Sequence, residues 1–308
     1  MSPIATEGDR LSAAASQRSP SPAALGDFAA LDLAYGRYFD QHQEMGDRWL
    51  LAQTLATGPS RRVIMPLLGV SPGERIVDLG TGFGPLALEL AATYGCHVTG
   101  TDNEADKLEV ARAITEDVSA SGWLADPASV AWEVADTVDL PMAASSIDRV
   151  VGRLILQHVT DPVATVAEAA RVLRPGGRLC VVDVDDQLTF SWPLPSPAQA
   201  FLEDALRQAQ AWRGGDRFIG RKLPALMAQA GLEVELSVIV PQAGYGEELE
   251  LARAFNVSHF ARSRESVLAA RVTDAATFDR ALDDYACEPL ERQFSATGQM
   301  LVVGRKPE

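Results

Sequence analysis

The residues best suited to chemistry stand at the ends of short apolar runs. Arg75-Ile76-Val77-Asp78-Leu79 leads into Gly80-Thr81-Gly82-Phe83-Gly84, a turn whose glycines permit positive φ and let a ligand approach the backbone with no Cβ in the way. A dinucleotide fingerprint, G-x-G-x-x-G, needs glycine where this chain has Pro85, and the third glycine comes one place early at Gly84. That mismatch counts against a nicotinamide-dependent oxidoreductase. A second run ends in Thr101-Asp102-Asn103. An acidic residue about 20 positions beyond a glycine turn is placed to accept both hydroxyls of a ribose; the alternative is an Asp capping the helix that starts at Glu104. Two further runs end in Ala135-Asp136-Thr137 and in Arg149-Val150-Val151-Gly152-Arg153, the latter leading to His158. His158 is the candidate for removing a proton, because it follows a strand on the side where ligands collect and unperturbed histidine titrates at about 6 to 7. Its alternative is to order its loop by a hydrogen bond. Arg153 is placed to hold a ligand carboxylate, or else to be a solvated surface cation.

Positioning these groups requires a scaffold, and its pattern is plain over residues 71–185. The apolar runs RIVDL, HVTGTD, SVAWEVAD, IDRVVG and RLCVVDVD alternate with the helical patterns PLALELAATY, EADKLEVARAITEDV and DPVATVAEAARVL. Strands alternating with helices predict right-handed crossovers and a parallel sheet covered on both faces, with ligands at the carboxyl ends of the strands. Residues 1–26, rich in Ser, Ala and Pro, are expected to form a tail outside the fold. Residues 27–70 show helical spacing and predict a cap, in which Tyr35, Tyr38 and Trp49 either face ligand or pack. Residues 186–215 are expected to hold a Pro-rich lid, whose Phe190 and Trp192, with Trp212 and Phe218 nearby, suit the wall of an apolar or aromatic pocket. Residues 216–308 form the C-terminal part: an amphipathic helix stopped by Gly231, the strand LEVELSVIV, a helical insertion at about 246–290, and the last strand QMLVVGRK.

The order of these motifs resembles the class I S-adenosylmethionine-dependent methyltransferases. Asp78-Leu79-Gly80-Thr81-Gly82-Phe83-Gly84 matches the D/E-x-G-x-G-x-G loop by which that family passes its backbone beside the methionine part of the cofactor. Ile147 to Pro162 and Leu173-Arg174-Pro175-Gly176-Gly177 look like the fourth strand, its loop and the fifth-strand entry of UbiE-like small-molecule enzymes. The resemblance implies an α/β Rossmann-like fold: a seven-stranded, mostly parallel sheet with an antiparallel last strand, an N-terminal helical cap and helical insertions. It implies S-adenosylmethionine as cofactor, bound by Asp78, Gly80, Thr81, Gly82, Asp102, Asn103, Asp136, Thr137 and Arg153. Asp136 would accept from the adenine amino group, with Leu140-Pro141 along the adenine edge. It further implies His158 as the catalytic base and Tyr38, Phe190, Trp192 and Trp212 around the acceptor. The expected reaction is methyl transfer to an O, N or C atom of a small metabolite, of natural-product type. Cyclisation or rearrangement by the same fold is the rival.

Composition narrows the partners. With 42 acidic against 27 basic residues and a net charge of −15, the chain has no general attraction for phosphate backbones or anionic lipid, so nucleic acid and membrane are excluded as expected partners. No apolar run approaches the roughly 20 residues of a membrane helix. Cys96, Cys180 and Cys287 lack disulfide or zinc spacing, and the four histidines lack metal-ligand spacing. The expectations are a cytoplasmic protein, no metal, and an oligomeric state left open, a homo-oligomer included.

Overall fold

The computed structural model describes residues 27–290 and 293–308; the expected tail, residues 1–26, lies outside them. Three cap helices, α1 (Ala29–Gln41), α2 (Arg48–Ala56) and α3 (Gly58–Ile64), precede the sheet. There follow β1 (Arg75–Leu79), α4 (Pro85–Tyr94), β2 (His97–Asp102), α5 (Ala105–Ala120), β3 (Val130–Val134), β4 (Ile147–Arg153), α6 (Pro162–Val172) and β5 (Leu173–Trp192). The chain ends with α7 (Pro197–Trp212), α8 (Leu223–Gln229), β6 (Glu233–Tyr245), α9 (Glu250–Ala269), α10 (Ala275–Ala286) and β7 (Phe294–Arg305).

The seven strands form one sheet in the order β3-β2-β1-β4-β5-β7-β6, with β7 antiparallel to both neighbours. Order reverses at β1, where β2 pairs on one side and β4 on the other, opening the crevice that ligands of such sheets occupy. Helix starts are set by local chemistry. Pro85, Pro162 and Pro197 occupy first helical positions, where the missing N–H costs nothing; Asp161 and Ser196 cap α6 and α7 by accepting from the N–H groups of Ala164 and Gln199. Gly95, in the left-handed region, stops α4.

One apolar core fills the sheet face under the cap and α4, another the face under α6 and α8, and a third joins α7, α9 and α10 through Leu202, Leu206, Phe260, Val267 and Phe278. A buried ion network clamps the cap helices to α4. Arg61 grips Glu89 of α4 at 2.6 and 2.9 Å, and Arg62 reaches Glu89 at 3.0 Å and Asp32 of α1 at 2.9 Å. Removing one partner from such a network strands a buried charge, at about 3–5 kcal/mol.

The sheet departs from the sequence expectation at β5. Residues 186–192, read as the start of a lid, continue the strand. After a register break between Val184 and Thr189, β5 pairs onward with β7 from Thr189↔Thr297 to Trp192↔Phe294, and β6 follows to Tyr245↔Phe294. Long-range pairing supplies the backbone hydrogen bonds that local composition did not advertise.

Candidate active site

The glycine turn is braced from beneath. Gly80, Gly82 and Gly84 adopt φ of +60°, +57° and +79°, which a side chain would strain. Thr81 Oγ1 donates to Asp78 Oδ2 at 2.6 Å, and the Thr81 N–H donates to the carbonyl of Thr101 at 2.8 Å, joining the turn to β2. Asp78 is fully enclosed. Burial, with Asp102 nearby, pushes its carboxyl up to about 7, against the lowering hydrogen bonds of Thr81 and the Ala87 N–H. Through these bonds it braces the turn against the first residues of α4. Gly80 gives close approach to a side chain: a Cβ there would lie 2.4 Å from Ile155 Cδ1, whereas a Cβ on Gly82 would meet only Leu50 Cδ2 of α2, at 3.5 Å.

Asp102, at the end of β2, accepts from the N–H of Gly82 at 3.0 Å through Oδ2 and from the N–H of Glu104 at 3.1 Å through Oδ1. Each oxygen keeps a second acceptor site, the number two ribose hydroxyls need. The cap position of α5 is Glu104 itself, so Asp102 is not that helix's cap. Asn103 is exposed at the crevice mouth. Asp136 is exposed, its Oδ1 accepting from the Val138 N–H at 3.1 Å. Thr137 is turned away to α6, its hydroxyl 3.0 Å from Thr165 Oγ1.

Arg153, at the end of β4, supplies the electrostatic test of whether a zwitterionic cofactor fits. Among the described residues its guanidinium has only two long hydrogen bonds, to Thr57 Oγ1 at 3.5 Å and Ser60 Oγ at 3.4 Å, and its buried Nε has no partner. Burial, with the cation of Arg61 adding to it, pulls its pKa down to about 9. Among the described residues no carboxylate forms an ion pair with this cation, and the carboxylate of S-adenosylmethionine would be such a partner. The residues fit the cofactor.

Above the turn lies the cap. The Tyr35 hydroxyl of α1 donates to the carbonyl of Phe83 at 2.7 Å, and Leu50 of α2 covers Gly82. On the other side runs the loop after β4, where Asp183 Oδ2 of β5 accepts from the Gln157 N–H at 3.2 Å. Burial pushes the Asp183 carboxyl up to about 6. Arg217 reaches Gln157 Oε1 at 2.9 Å and pairs with Asp186 at 2.7 Å. His158 follows, its ring exposed and, among the described residues, without a hydrogen bond from protein. Desolvation, then Arg217, Arg213, Lys107 and Arg262, push its pKa down to about 4. The titration expected at about 6 to 7 is therefore corrected downward.

The aromatic residues proposed around the acceptor are not brought together. In the extended β5-β7-β6 ribbon, Phe190 and Trp192 share one face with Phe294 and Tyr245 and are 63% and 65% exposed. A cavity of about 300 Å³ beside the ribbon is lined by Ser191, Phe294, Ser295, Arg253, Asn256 and Tyr285, with Phe190 and Trp192 outside its lining. Alternation along a strand is the reason: shifting from loop to strand turns alternate side chains outward. Trp212, 61% exposed at the end of α7, walls nothing. Tyr38 stacks on His42 within the cap at 3.8 Å. His259 of α9, which no sequence motif marks, has its ring 6.0 Å from that of Trp49 of the cap. Among the described residues no three His, Cys, Asp or Glu side chains are grouped to hold a metal ion.

Comparison with known proteins agrees with this geometry. A family profile described as a methyltransferase domain matches residues 77–181. The chain is 31% identical over 223 residues to the methyltransferase GfsG of Streptomyces halstedii, covering 67% of this chain and 75% of that protein. It is 30% identical over 249 residues to the 27-O-demethylrifamycin SV methyltransferase of Amycolatopsis mediterranei, covering 79% and 80%. In fold it is similar to a methyltransferase structure from Bacillus halodurans, with a TM-score of 0.55 and 19% identity over 80% of this chain and 99% of that one. Seven strands in this order, a glycine turn at the reversal point and relatives of such extent place the protein: it belongs to the class I S-adenosylmethionine-dependent methyltransferases.

Proposed function

We propose that this enzyme methylates a small-molecule acceptor of natural-product type inside a roofed cleft, in a cytoplasmic setting. The observation that carries the reading is the closure of the glycine turn by the cap: Leu50 covers Gly82, and the neighbouring Trp49 packs its ring 6.0 Å from that of His259 on α9. A cleft enclosed by cap and insertion suits a compact acceptor, and the net charge of −15 disfavours nucleic acid. Relatives that act on natural products support the same class.

In this reading Asp102 accepts the ribose hydroxyls, Asp136 accepts from the adenine amino group, and Arg153 pairs with the cofactor carboxylate. The cofactor supplies an activated methyl group on a sulfonium, a leaving group that needs no further activation. The chain's tasks are then to align the acceptor, exclude water and accept a proton. His158, kept neutral, takes that proton, and its exposed ring returns it to solvent. Asp183 holds the loop that presents it. The test is incubation of the enzyme and methyl-labelled S-adenosylmethionine with a metabolite extract, followed by mass spectrometry. A metabolite gaining one labelled methyl, with S-adenosylhomocysteine, supports the reading. A product formed without transfer of label supports cyclisation or rearrangement instead.

A further inference from the structure

His259 lies on α9, an element inserted between the last two strands and unrelated to the glycine turn in sequence. It packs against α2, the cap helix whose Leu50 covers Gly82. The neighbouring Trp49 has its ring 6.0 Å from that of His259, and Phe255, one turn earlier on α9, stacks with the imidazole at 5.9 Å and 6° between planes. Phe260 flanks it at 6.5 Å. The end of α7 closes the other side: Arg213 bonds Ser266 of α9 at 3.0 Å, and Arg217 bonds Gln157, the neighbour of His158, at 2.9 Å. Arg262, one turn beyond His259, lies over the Trp49 ring at 3.8 Å and within 3.6 Å of Asp47.

Within this frame His259 Nδ1 is buried and, among the described residues, has no hydrogen-bond partner. An imidazole kept only for packing would be expected to satisfy that nitrogen, since an unmet buried polar atom costs free energy and calls for an explanation. Resting on the methyl-transfer reading above, the geometry points to His259 as a second acceptor-binding residue, holding the hydroxyl of a planar, unsaturated ring beside Trp49 and Phe255. The acceptor class is a phenol or enol, and the methylated atom is oxygen.

The electrostatics fit. Desolvation, then Arg217, Arg262, His158 and Arg213, push His259 down to about 3, so both imidazoles are neutral at neutral pH. Asp186 pairs with Arg217 and Asp47 lies near Arg262, so these cations carry carboxylates with them and the cleft does not demand an anion. In the step, the acceptor O–H bond breaks with its proton going to His158. An oxygen lone pair forms the O–CH₃ bond, and the S–CH₃ bond breaks with its electron pair remaining on sulfur. The Nδ1–H of His259 donates to the oxygen's second lone pair and orients it.

The test uses 4-nitrophenol and nitrobenzene as probes on the full chain loaded with S-adenosylhomocysteine, titrated calorimetrically against wild type, His259→Phe and His259→Asn. Phenylalanine keeps the aromatic packing and loses Nδ1; asparagine carries a donor near the Nδ1 position. Wild type is expected to bind 4-nitrophenol at least about ten-fold tighter than nitrobenzene, the margin of about 1.4 kcal/mol that one hydrogen bond supplies. The margin should vanish in His259→Phe and return in His259→Asn, with S-adenosylhomocysteine affinity unchanged throughout. Equal margins in wild type and His259→Phe, or no 4-nitrophenol binding to the loaded wild type, would overturn the assignment. Failure of wild type to bind S-adenosylhomocysteine would instead strike at the methyl-transfer reading itself.

Discussion

The hydroxyl of Tyr35 and the carbonyl of Phe83 are joined by a 2.7 Å hydrogen bond across 48 residues of chain, so the cap is fastened to the glycine turn. Burial holds the Tyr35 hydroxyl well above its ordinary pKa, so it stays a donor across the physiological range.

Tyr35→Phe leaves that buried carbonyl unpaired. The expected loss is about 1–3 kcal/mol of stability, with weaker S-adenosylhomocysteine binding because the turn loses its roof anchor. Chemical denaturation with and without S-adenosylhomocysteine measures both. A variant as stable and as ligand-responsive as wild type would mean that the cap is not coupled to the turn.

Asp102→Ala removes an acceptor for the Gly82 N–H as well as the proposed ribose contact. Affinity for S-adenosylhomocysteine should fall by about 1.5–3 kcal/mol, or about 10- to 150-fold. Calorimetry on the folded variant decides, and undiminished affinity would remove Asp102 from the cofactor site.

Asp78 gives stability a pH signature. Its folded pKa, about 7, lies above the ordinary carboxylate value of 3.8, so the folded state holds a proton that the unfolded state releases. Stability from this group is present in full below that ordinary value and is lost as pH rises through about 7. Asp78→Asn cannot ionise, so the melting temperature of the variant relative to wild type should climb between pH 4 and 7, a window fixed by those two values. A constant difference across that range would show that Asp78 is ionised throughout.

For His158 the depressed pKa moves the acid limb of catalysis. The rate should rise through about 4 instead of through the ordinary histidine range, and His158→Gln should abolish the limb while lowering kcat by on the order of a hundred-fold. Unchanged cofactor affinity accompanies this if the ring acts only as a base. A kcat and pH profile identical to wild type would take His158 out of proton transfer.

Much of the half that carries the glycine turn was legible in the chain, because β1, its glycine turn and β2 are contiguous and their constraints are local: positive φ at Gly80 and Gly82, an acid at Asp102. The acceptor side was not. Whether residues 186–192 are loop or strand depends on β7, about a hundred residues away, and with that pairing Phe190 and Trp192 turn outward. His259 carries no local signal, since its neighbourhood is made by α9 packing on α2. Even for Arg153, the sequence proposed an anion partner, while its missing counter-charge is visible only in three dimensions.

Arg153 therefore offers the most direct measurement. S-adenosylhomocysteine carries a carboxylate and 5′-methylthioadenosine does not, though both share the adenosine. Titrating both into wild type and Arg153→Met, a change that leaves Asp102 and the glycine turn in place, isolates the carboxylate contact. S-adenosylhomocysteine affinity is expected to fall by about 10- to 150-fold, the range for a charge-assisted bond, with 5′-methylthioadenosine affinity unchanged. The ligand-free variant should melt higher, because a buried cation without a partner has been removed. Equal losses for the two ligands, or none for either, would contradict the placement of the cofactor in this cleft.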